Sequence, residues 1–114
     1  MVMEIQIYLA KFLPNPRRGE PRNVGLVVRT AADELLSQFL LEGEKTHAVP
    51  KGLDIQEFAK VVGEWREPME KYGAKSLQWV GKRKVPGQRY YLEFMGSELA
   101  QNFDMDALFE ELVA

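Results

Sequence analysis

Ser76-Leu77-Gln78-Trp79-Val80-Gly81-Lys82-Arg83-Lys84-Val85-Pro86-Gly87-Gln88-Arg89-Tyr90-Tyr91-Leu92-Glu93-Phe94-Met95-Gly96 is the stretch whose folding decides the architecture. Pro86 and Gly87 stand at the two central positions of a type II turn, where proline presets φ and glycine accepts the positive φ that follows. Pairing outward from that turn sets Lys84 against Arg89, Lys82 against Tyr91 and Val80 against Glu93, alternating with Arg83–Tyr90, Gly81–Leu92 and Trp79–Phe94. Leu77, Trp79, Leu92 and Phe94 then share one apolar face, opposite Gln78, Lys82, Lys84, Arg89 and Glu93 together with Val80, Tyr91 and Met95. The stretch therefore predicts a β-hairpin with Trp79 and Phe94 buried. Because two-residue hairpins prefer primed turns, a longer loop at the tip is the alternative.

Upstream, Met3, Ile5, Ile7 and Leu9 alternate with polar Glu4 and Gln6, the period of a half-buried strand running to Leu13. Three prolines between Pro14 and Asn23 remove ladder donors and make that segment a loop. Val24 to Val28 is a continuous apolar run, which reads as a strand covered on both faces. From Thr30 to Leu41 helical and alternating spacings compete, and propensity alone leans to helix. Asp54 caps a helix whose face holds Ile55, Phe58, Ala59, Val62 and Trp65. Pro68 predicts that this helix ends or kinks near Arg66, with Gly73 closing any last turn. Asp104-Met105-Asp106 opens a final short helix with Met105, Leu108, Phe109 and Leu112 facing inward.

The 114 residues suit one domain, and 46% hydrophobic, 28% charged and 11% aromatic residues describe an ordinary globular chain. The absence of cysteine excludes disulfides, thiolate catalysis and cysteine-based metal sites. No run approaches the ~20 apolar residues of a spanning helix, and the start lacks a leader's basic and apolar regions, so a cytoplasmic protein without membrane contact is expected. Net charge is only −2, but its signs are sorted along the chain. Residues 75–89 carry five basic and no acidic side chains, whereas residues 90–114 carry six acidic and no basic ones.

The run from Tyr8 to Val28, Tyr-Leu-Ala-Lys-Phe-Leu-Pro-Asn-Pro-Arg-Arg-Gly-Glu-Pro-Arg-Asn-Val-Gly-Leu-Val-Val, resembles the opening signature of a bacterial family called domain of unknown function 3037. Leu108 to Val113 resembles that family's closing helix. The resemblance implies two opening strands flanking the proline–arginine loop, and a third strand over Leu35 to Leu41. It also implies an accessory role beside a kinase of the HipA-like toxin class, or in a toxin–antitoxin system. It brings no catalytic residues, and the basic hairpin at 82–89 is not part of the shared pattern.

Two basic loops are the candidate binding residues. Arg17, Arg18 and Arg22 lie in a loop stiffened by proline, and their guanidinium forks suit carboxylate or phosphate oxygens. Lys82, Lys84 and Arg89, with Tyr91 beside them, mix cations and aromatic faces as single-strand platforms do, although edge hairpins also carry lysine simply to block strand association. A pI of about 5.5 weighs against a dedicated nucleic-acid binder. His47, the only histidine, reads as a loop residue, and Asn23 as a loop-closing one. No nucleophile elbow, phosphate loop or metal spacing occurs, so neither a catalytic residue nor a cofactor or metal is expected.

Taken together, the reading is a single α+β domain over residues 1–114. It has an antiparallel sheet of about five strands in the order β-β-β-α-β-β-α, with two helices packed on one face. Its expected function is non-catalytic protein interaction, with another protein as partner. Nucleic-acid binding through the two basic loops is the alternative, and a small hydrolase or transferase is a third class without a motif behind it.

Overall fold

The computed structural model describes residues 2–15, 20–42 and 47–113. Strand β1 (Val2–Phe12), β2 (Arg22–Thr30) and β3 (Leu35–Phe39) are followed by helix α1 (Ile55–Tyr72), a short 3-10 helix (Gly73–Gln78), strand β4 (Tyr90–Gln101) and helix α2 (Met105–Leu112). The four strands form one antiparallel sheet in the order β3-β2-β1-β4. The chain is thus α+β on an antiparallel sheet, as the patterning predicts, with four strands rather than five. No helix among the described residues is long and apolar enough to cross a membrane.

Of the Leu35–Leu41 segment, Leu35–Phe39 is a strand against its own helix propensity, and Leu40 and Leu41 turn the chain away. After β2 the chain turns through Ala31, Ala32 and Asp33, with Thr30 and Glu34 closing the loop by a backbone bond of 2.9 Å. Asp33 takes a left-handed φ of 61° and its carboxylate receives Arg29 at 2.7 Å. A three-residue loop ending in a left-handed residue is a standard hairpin closure, and it delivers β3 onto β2 with Val28 opposite Leu36.

Side-chain alternation along β1 sorts the core into two halves. Ala10 and Phe12 point to the face where Phe58 of α1 stacks on Tyr90, the neighbour of Phe12, and where Phe58 and Trp65 meet Phe39. Ile5, Ile7 and Leu9 point the other way, together with Leu26 and Val28. On that side Asn23 donates to the Leu112 carbonyl at the end of α2, and Phe109 is buried. The two helices therefore divide between the faces instead of sharing one. The buried run Val24–Val28 needs this arrangement, because both of its faces are apolar and each must be covered.

The hairpin expected across residues 76–96 is replaced by a different path. The Pro86–Gly87 turn does form, with Gln88 N–H reaching the Val85 carbonyl and Gly87 at φ 82°. Of the expected cross-strand pairs, only Gly81–Leu92 keeps a backbone bond, at 2.7 Å. The Gln88 side chain accepts from the Lys84 N–H and donates to the carbonyls of Lys82 and Tyr90, replacing a ladder. Residues 90–101 pair instead with the whole of β1, from Phe12–Tyr90 to Val2–Gln101, with a bulge at Met95. Eleven residue pairs on a fully built strand outweigh a short local hairpin. Leu77 is buried and Leu92 half-buried, but Trp79 and Phe94 are 42% and 54% exposed, contrary to the expected shared face.

Helix α1 begins where Asp54 accepts from the N–H groups of Gln56 and Glu57, as its capping spacing predicts. It then runs through Pro68 instead of ending near Arg66. Proline forfeits one bond, but Met69 beyond it joins Trp65, Val62 and Phe58 in the buried stripe, and that burial carries the helix on to Gly73.

Candidate functional site

The two basic loops begin side by side. Leu13 N–H donates to the Arg89 carbonyl at 2.8 Å, and Phe12 lies between Arg22 and Tyr90 across the sheet. Arg22 and Arg89 thus flank one end of β1, while Arg17 and Arg18 lie outside the described residues. Arg22 lines a hollow of about 520 Å³ with Lys11, Asn23, His47 and Lys51. Lys82 lines another, of about 630 Å³, with Tyr8, Arg29, Tyr72 and Lys75. Lys84 is an exposed turn residue held by its backbone. Tyr91 is buried opposite Lys11 with the Arg83 guanidinium 5.0 Å above its ring, so it offers no free stacking face.

Two residues expected in loops hold the α2 side together. Asn23 accepts from Lys11 Nζ at 2.6 Å and donates to the Leu112 carbonyl at 2.8 Å, tying helix to sheet instead of closing a loop. His47 sits largely covered, 5.6 Å from the Phe109 ring and 3.5 Å from Glu110 Oε1. Among the described residues no group of three or more His, Asp or Glu converges as metal ligands do.

Tyr90 titrates well above its ordinary range. Burial, then the negative charges of Glu57 and Asp54, push its hydroxyl up to about 12 from 10.0, with Arg89 pulling the other way. The folded chain keeps this proton to higher pH than the unfolded chain does. Stability that is complete below pH ~10 is therefore lost as pH rises toward ~12, by at most about 2–3 kcal/mol. Urea unfolding across that window should show the decline, and Tyr90→Phe should flatten it. An equal decline in the variant would assign the alkaline sensitivity to other groups.

Phe94 and Trp79, which alternation assigns to one hairpin core, each take a different aromatic partner. Tyr8 and Phe94 lie 5.2 Å apart on adjacent strands, and Tyr72 and Trp79 lie 5.6 Å apart where α1 gives way to the 3-10 helix. The sequence signal for them is the aromatic and lysine content of residues 71–82, hidden because Trp79 fits the hairpin period equally well. Farther along, β4 leaves the sheet with an open edge. Met95 is 51% and Leu99 74% exposed there, and beyond Leu92 no further strand pairs with it among the described residues. Compared with protein-family models, curated proteins and solved structures, the chain has no match.

Proposed function

We propose that this domain is a non-catalytic protein-interaction module that receives an extended segment of a partner along the open edge of β4. The observation carrying this reading is a long edge strand whose outer half bears exposed Phe94, Met95 and Leu99. Edge strands offer unpaired N–H and C=O groups to any added strand, and apolar side chains along them supply contact area. Natural edges are usually blunted by charge, and Glu93, Glu98 and the Met95 bulge leave a stretch of apolar contacts beside them. The resemblance to the domain-3037 family supplies the partner proposed here, a kinase of the HipA-like class or another toxin–antitoxin component. Nucleic acid at the two basic loops draws support from Arg22 and Arg89 alone, since Lys82 lines a different hollow.

The test is titration of a purified HipA-like kinase from the source cell with this protein and with Met95→Lys and Leu99→Lys. Both side chains are exposed, so melting temperatures should stay within about 2 °C, as surface changes usually do. Each variant should weaken association by about tenfold, the loss of a central apolar contact. Unchanged affinity in both would remove the β4 edge as the docking surface.

A further inference from the structure

We infer that the hollow between β1, the end of β2 with its following turn, and the end of α1 is a binding site for single-stranded nucleic acid. One wall carries Tyr8, with Phe94 beside it, and the other carries Tyr72, with Trp79 beside it. Phe94, Tyr72 and Trp79 are 54%, 51% and 42% exposed, which is costly for rings of this size unless something covers them. The space of about 630 Å³ lies in the range that accepts a nucleotide-sized ligand.

Charge identifies the occupant further. Lys75 and Lys82 line the hollow, and Lys71 Nζ stands 5.3 Å from the centre of the Tyr72 ring. Asp33 is the acidic residue lining it, and the Arg29 guanidinium neutralises that carboxylate at 2.7 Å. Local charge is therefore positive on a chain whose net charge is −2. Two aromatic pairs, with Lys75 and Lys82 lining the hollow beside them, match what a single strand presents, flat bases and phosphates in alternation. An acidic peptide would satisfy the lysines but leave the ring faces without planar partners. This site is separate from Arg22 and Arg89, and it does not depend on the protein-docking reading.

Fluorescence anisotropy with labelled oligo(dT) and oligo(rU) of about 12 nucleotides tests it, a length suited to one small-domain site. Contacts to two or three phosphates should weaken binding roughly seven- to twentyfold between about 50 and about 200 mM salt. Trp79→Ala should weaken it at least about fivefold, the loss of one stacked base, and Trp79→Phe should keep most of the affinity. Lys75→Glu with Lys82→Glu should weaken binding and flatten the salt slope. All of these side chains are exposed, so the melting temperature serves as a folding control. Three results would overturn the inference: no anisotropy change at low salt, equal binding by Trp79→Ala and the lysine variant, or displacement by a polyglutamate peptide as effective as by unlabelled oligonucleotide.

Discussion

Phe39→Ala is expected to cost about 3–5 kcal/mol, as truncation of a buried aromatic does, and to lower the melting temperature by about 12–20 °C. Phe39 is 1% exposed at the end of β3, where it touches Phe58 and Trp65 and lies under the Arg66 guanidinium at 5.0 Å. Arg66 in turn reaches Ser37 and Glu42, so the ring is the floor of a polar clasp between β3 and α1. The ring also rests on Gly25, where an added Cβ would sit 2.3 Å from Phe39 Cδ1. Gly25→Ala alone should therefore cost about 1–3 kcal/mol through overpacking. In the Phe39→Ala background the same methyl enters the vacated space, so its cost should fall toward zero, a coupling of about 1 kcal/mol or more. Urea unfolding of the four proteins in this cycle measures the effect. Strict additivity would mean that the two residues do not touch.

Gly81→Ala should be the second large effect, at about 2–4 kcal/mol. Gly81 has φ 67°, a left-handed conformation costing a residue with a Cβ about 1–2 kcal/mol, and its Cβ would stand 2.6 Å from Leu92 Cγ. Gly52→Ala separates the two contributions, because Gly52 has φ 88° with open space around it and so reports backbone strain alone. The excess of Gly81→Ala over Gly52→Ala is the steric contact with Leu92. Equal losses in the two variants would show that the Gly81–Leu92 contact, the remnant of the expected hairpin, is not made.

Much of the fold was legible because its signals are local. The alternation in β1, the Asp54 and Asp104 caps and the Pro86–Gly87 turn each depend on neighbours within a few residues, and each forms where its spacing places it. Errors arose where a local rule had a competitor far away in the chain. Pro68 predicts an end or a kink near Arg66, and the helix does not end there, with Met69 buried beyond it. The candidate site fared similarly. Arg22 and Arg89 flank one end of β1, but Lys82 is carried to another hollow, and Tyr91 is spent under Arg83.

By itself the sequence determined the class of the domain, α+β on antiparallel strands, and the two-sided burial of Val24–Val28, because period and apolarity decide which surfaces must be covered. Tertiary structure decided what pairs with what. Residues 90–101 could satisfy their backbone on residues 76–85 or on β1, and both options respect the same alternation. Only the existing β1, open along its length beside β2, made the distant pairing the more extensive one. That choice released Trp79 and Phe94 from a core into solvent and set them beside Tyr72 and Tyr8, the aromatic lining of a hollow that no local pattern announces.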